Sequence, residues 1–168
     1  NARVSRTGHL EFVFSLHRVE QDCFFLVGEA DATQGLHDSL DLFLFADKVE
    51  MSRAEGQWIH LQGGDAEGLM PDLEAEHSVA PIDGGWAIRR SLTGDPGWLL
   101  FGDLDVQAWK ENALGAGFLM GESEAYGDAL EVLRMEAGAL RVGVDLAGGK
   151  HLLPETGLEH QAVSYSKG

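Results

Sequence analysis

A chain of 168 residues, 44% hydrophobic with 22 Gly and 4 Pro, has the composition of a folded domain and excludes a disordered or collagen-like chain. Twelve Lys and Arg against 28 Asp and Glu leave a net charge of −16, which repels phosphate backbones and anionic headgroups, so no nucleic acid and no membrane surface is expected as partner. No stretch reaches the ~18 unbroken apolar residues of a membrane span, and the single Cys23 excludes an intramolecular disulfide.

A soluble protein is therefore expected, cytoplasmic or, after processing, periplasmic or secreted. The opening Asn1-Ala2-Arg3 carries no Met and no signal-peptide pattern, which is consistent with a trimmed N-terminus.

In chain order, Leu10, Phe12, Phe14 and Leu16 alternate with His9, Glu11, Val13, Ser15 and His17, the period of a half-buried strand. Cys23 to Val27 is continuously apolar and predicts a strand covered on both sides, with Cys23 buried, ending at Gly28-Glu29. Asp31 to His37 reads as a polar loop. Leu40, Leu42 and Leu44 then alternate with Asp41, Phe43 and Phe45, which predicts a hairpin running into Val49 and Met51. Trp58 to Leu61 is a further short strand, and Gly63 to His77 an acidic, Gly-rich loop.

After the turn Asp83-Gly84-Gly85, the residues Trp86, Ile88, Arg90 and Leu92 alternate again until Thr93 to Gly97 closes the strand. Leu104, Val106 and Ala108 predict the next strand, and Gly115 to Gly121 another. Two readings are open from Asp128 to Leu146. Asp128-Ala129-Leu130-Glu131 fits a capping box that opens a helix closed by Gly138; the alternative is a hairpin, preferred because Ser39 to Ser52 has a strand pattern at the matching place.

That matching place comes from an internal echo. Phe25-Leu26-Val27-Gly28-Glu29-Ala30-Asp31-Ala32 returns as Phe118-Leu119-Met120-Gly121-Glu122-Ser123-Glu124-Ala125, and Pro71 to Glu76-His77 returns as Pro154 to Glu159-His160 in the same order. The expected fold is all-β: one domain over residues 1–168, made of two diverged tandem repeats (about 8–79 and 102–163, connector 80–101) sharing one core. An antiparallel β-sandwich is favoured over a closed, calycin-like β-barrel.

Chemistry is then sought among the residues this plan sets at strand ends and faces. Glu29 and Glu122 follow apolar strands at equivalent places and are the candidates for a general acid/base in an apolar pocket. Glu76, His77, Glu159 and His160 are the candidate ligands of a transition metal, without the His-x-His spacing that would strengthen it, and the acidic loops 31–38 and 63–76 offer oxygen ligands to Ca²⁺. Trp58, Trp86, Trp98 and Trp109 can present flat apolar platforms to sugar rings or other small organic ligands. No Gly-x-Ser-x-Gly elbow or phosphate-cradling loop is present.

The stretch Leu10 to Leu44, with its strand, its Phe-Phe-Leu-Val strand, an acidic loop and Asp38-Ser39-Leu40-Asp41-Leu42, resembles the start of family 9-type carbohydrate-binding sandwiches, and Gly84-Gly85-Trp86 resembles a later strand. It covers under half the chain and implies a sugar-binding sandwich. The expected function is a non-catalytic domain that binds carbohydrate or another small molecule. The alternatives are a small β-barrel enzyme of isomerase or cyclase type, and a structural or assembly subunit.

Overall fold

In the computed structural model, which describes residues 1–64, 68–121, 124–164 and 166, helices and strands share the chain about equally. The strands are β1 (Ala2–Val4), β2 (Leu10–Glu20), β3 (Cys23–Gly28), β4 (Gln57–Gln62), β5 (Val79–Ile82), β6 (Gly85–Arg89) and β7 (Gly97–Gly102). The helices are α1 (Thr33–Asp41), α2 (Val106–Gly115), α3 (Glu124–Glu136) and the single turn α4 (Glu159–Ala162).

Both sheets are antiparallel and open, one in the order β1-β2-β3 and one in the order β4-β7-β6-β5, so among the described residues no closed barrel forms. The backbone groups into two compact units: Asn1–Leu16, Phe25–Arg53 and Leu140–Gly168 make one, His17–Phe24 and Ala54–Ala139 the other.

The second unit holds a core built on one face of the four-stranded sheet. Leu61, Ala87, Trp98 and Leu100 lie buried side by side on it, and Met70, Leu104 and Ala113 of α2 close over them, with Ile59, Ile82, Trp109 and Phe118 at the margin. α2 starts where the Asp105 carboxylate accepts the Ala108 N–H at 3.0 Å, an N-cap that meets one of the unpaired donors of the first turn. α3 ends at Gly138 (φ 69) with Ala139 N–H returning to the Arg134 carbonyl, and the buried Arg134 pairs with Glu131 while donating to the Ala139 carbonyl. In the first unit, Leu10, Val27, Leu36 and Leu153 are buried, and the β2 strand is tied to the C-terminal region by Leu10 N–H to the His151 carbonyl, 2.8 Å.

Several sequence expectations are corrected. Residues 33–41, expected as polar loop and strand start, are helix α1, because Leu36 and Leu40 stand one helical turn apart and Leu36 is buried. The Leu42 to Phe45 strand is a series of turns with Leu42, Phe43 and Phe45 exposed. Leu104 to Ala108 and the 128–137 stretch are the α2 and α3 regions, so the hairpin preferred there gives way to the helix closed by Gly138.

Over the described residues the echoed octapeptides differ: the first is strand β3 and a 3-10 turn, while Phe118 to Gly121 forms no strand, and Glu122 and Ser123 lie outside the described residues. Leu26 and Leu119, expected in a common core, are both exposed. Cys23 is exposed as well, at the first position of β3 beside the β2-β3 turn.

Candidate functional site

Sheet register puts a second, chemically richer set of side chains on the face of β4-β7-β6-β5 opposite the core. Across it run Trp58, Phe101, Trp86 and Pro81 in one row, then His60, Leu99, Ile88 and Val79 in the next. The third row is Gln62, Gly97 and Arg90, fixed by the ladder bond from Arg90 N–H to the Gly97 carbonyl at 2.8 Å. Successive rows stand two residues apart along each strand, roughly 7 Å.

Trp58 and Phe101 form a non-hydrogen-bonded pair, the closer kind, and their rings stack at 4.2 Å between centroids and 31° between planes. Trp58 sits on the edge strand and is 46% exposed, so it presents a ring held flat from behind by Phe101. Gly97 in the third row leaves the space that the Gln62 amide occupies: a Cβ there would lie 2.6 Å from Gln62 Oε1 and 2.5 Å from the Arg90 carbonyl. Gln62 uses that space to donate to the Asp95 and Pro96 carbonyls and to accept from Leu92 N–H, which fixes the end of the β6-β7 turn.

At the Arg90 end lies a histidine group. His17, at the start of the β2-β3 tip, is 1% exposed and its Nδ1 donates to the His77 carbonyl at 3.2 Å, with the two rings 5.5 Å apart. Since a carbonyl only accepts, this bond fixes the His17 tautomer with the proton on Nδ1. His77 takes a left-handed backbone (φ 70), where its carbonyl turns toward His17.

Burial pushes the His17 imidazole below its ordinary value, the His77 carbonyl pulls it back, and the like charges of His77 and Arg90 lower it further. His60 is also lowered, first by burial and then by the Arg90 charge, against a hydrogen bond to the Arg90 backbone. Its Nε2 is buried without a partner. An unmet buried acceptor of this kind costs about 1–3 kcal/mol, which a hydroxyl or amide donor brought to it would recover.

The sequence candidates are distributed as follows. Trp58 is exposed and Trp86 half-buried on this face, whereas Trp98 lies in the core beneath the Arg89 guanidinium, 4.2 Å from its ring, and Trp109 packs at the core margin. Trp98 therefore presents no ring to solvent. Glu29 is half-buried in the first unit and its Oε2 meets Arg141 Nε at 3.4 Å, an ion pair rather than a carboxyl isolated in an apolar pocket. Glu122 lies outside the described residues.

Glu76 is exposed and its Oε1 accepts Ser91 N–H at 2.8 Å; Glu159 and His160 lie on α4, with His160 exposed. Among the described residues no three His, Cys, Asp or Glu side chains stand where they could hold a metal ion together. His17 and His60 were not distinguished in the sequence. Both stand at the parity opposite the apolar residues of their strands, His17 with Glu11, Val13 and Ser15 and His60 with Trp58 and Gln62, so the local pattern does not announce their burial.

No protein-family model, curated protein or solved structure matches the chain.

Proposed function

We propose that the chain is a non-catalytic binding domain whose ligand is a small, neutral, ring-bearing molecule, of which a carbohydrate is the leading class. The observation that carries this is the exposed Trp58 ring, backed by Phe101 on an edge strand. A ring fixed from behind loses little freedom when a ligand stacks on it, which lowers the entropic cost of weak binding. The neighbouring His60 imidazole, held neutral by burial and by Arg90, favours uncharged ligands with a donor group over acids or cations.

The test is titration of intrinsic tryptophan fluorescence and calorimetry with a panel of mono- and oligosaccharides, on the wild type and Trp58→Ala. A saccharide that binds the wild type should lose at least tenfold in affinity with Trp58→Ala. Equal affinities in the two proteins, or no binding across the panel at millimolar concentration, would remove the proposal.

A second reading, assembly into a larger complex, is favoured by one segment of the first unit. Leu42, Phe43, Phe45 and Val49 are all exposed, Phe45 at 89%, far beyond what a scattered surface apolar residue shows. Under this reading Phe43→Ser with Phe45→Ser leaves thermal stability unchanged and abolishes an association seen by sedimentation.

A further inference from the structure

The four-stranded sheet has two edges, β4 and β5, and they are built differently. On β5 the ladder bond from Arg89 N–H to the Ser78 carbonyl, 2.9 Å, turns the backbone of residues 78, 80 and 82 toward β6, so Val79 and Pro81 face outward. Pro81 has no N–H to offer there. At the strand's entry the Arg89 carbonyl accepts from His77 rather than from Ser78, a bulge that accompanies the left-handed His77. Proline and bulge are two of the devices that stop a foreign strand from pairing with an edge.

β4 has neither. Its register runs unbroken from Gln57↔Gly102 to Gln62↔Gly97, and Gln57-Trp58-Ile59-His60-Leu61-Gln62 contains no Pro and no Lys, Arg, Asp or Glu. Gly63 N–H bonds the Pro96 carbonyl at 2.8 Å, and this fixes the phase of the whole strand: residues 57, 59 and 61 exchange bonds with β7. The N–H and C=O groups of Trp58, His60 and Gln62 therefore point to the free edge, and among the described residues none of them has a backbone partner on that side.

We propose that this free edge is a docking strand, and that its occupant is an extended, basic segment of a partner protein that adds to the sheet beside Trp58, His60 and Gln62. Main-chain bonds supply affinity in such strand addition and alternate side chains supply specificity. On one face the added strand lies beside Ile59 and Leu61, which belong to the core side, so every second residue of the segment is apolar. On the other it lies beside the exposed Trp58 ring, which attracts a Lys or Arg through its π face.

The net charge of −16 steers a basic segment toward the chain and sets a second copy, with the same charge, at a disadvantage. The inference uses the backbone of β4 and stands whether or not a saccharide binds the Trp58 ring.

The probe is a capped heptapeptide that alternates Lys or Arg with Val or Ile, compared with the same peptide carrying Glu at the basic positions. At saturation with the basic peptide, amide hydrogen exchange at Trp58, His60 and Gln62 should slow at least tenfold, while Ile59 and Leu61, already bonded to β7, stay as they were. His60→Pro removes an outward N–H without touching the β7 ladder and should bind the peptide at least tenfold more weakly than His60→Ala, which keeps that N–H.

The proposal is overturned if the basic peptide does not bind, if it binds without slowing those three amides, or if the acidic peptide binds as well. It is equally overturned if sedimentation shows that a second copy closes the edge in a dimer that His60→Pro abolishes. Should His60→Pro fail to fold, the exchange pattern of the wild type decides alone.

Discussion

The buried histidines make the stability of the second unit dependent on pH in a defined direction. In the unfolded chain His17 and His60 titrate near their ordinary value of 6.5, and in the fold both are held below it. Above about pH 6.5 both states carry neutral imidazoles and the stability is fully present. As the pH falls below that value the unfolded chain takes up protons first, and stability is lost until the folded values are reached.

Each histidine therefore adds a positive slope of stability against pH, bounded at about 1.4 kcal/mol per pH unit for a single proton. His17→Asn keeps a short donor for the His77 carbonyl and cannot titrate; it should lower the combined slope of His17 and His60. Urea unfolding followed by tryptophan fluorescence at intervals from pH 7.5 to 5.5 measures it, above the range where carboxylates protonate. In the first unit the half-buried His37 works in the opposite sense, raised by its hydrogen bond to Asp38, so its stabilisation is present below 6.5 and lost as the pH rises. A His17→Asn protein with the full wild-type slope would refute the assignment of His17 as a buried, neutral imidazole.

Two further outcomes concern the core and its helix. Leu100→Ala removes a side chain with no exposure from the centre of the buried cluster and should destabilise by about 2–5 kcal/mol in urea unfolding, with the two sheets' strand signal retained in circular dichroism at low denaturant. Asp105→Ala removes the acceptor for Ala108 N–H at the start of α2 and should cost about 1 kcal/mol, whereas Asp105→Asn should cost less because it still accepts that bond.

Four of the longer or more apolar strands were legible in the residue pattern alone. Alternation marks β2 and β6, the short run Trp58 to Leu61 marks β4, the apolar run marks β3, and Gly28 and Gly84-Gly85 bound β3 and β6. The charge of −16 is likewise set by composition and depends on no conformation. Helices were harder to read where a short apolar spacing satisfied both periods: Leu36, Leu40 and Leu42 fit a strand at steps of two and a helix at a step of four, and only the burial of Leu36 decides between them.

The echoed octapeptide does not carry one conformation across its described residues, for a related reason. Local identity does not fix conformation when the partners that would pair with the segment differ, and Phe118 packs on the margin of a helix-covered core while Phe25 lies in a strand.

The candidate site was legible only in part. Trp58 stood out by residue type, but its exposure, and the burial of Trp98, follow from which face of the sheet each one occupies once β4 and β7 are in register. His17 and His77 are 60 residues apart in the chain and His60 lies on a third element; nothing in their spacing announces that they share one environment with Arg90. Such a group exists only when the β2-β3 tip and the sheet strands have folded together, because the shift of each imidazole comes from water excluded and charge brought near by residues remote in sequence. The same holds for the unguarded edge: the sequence shows an uncharged β4, but only the hydrogen-bonding phase decides that Trp58, His60 and Gln62 offer their backbone outward while Pro81 withholds its own.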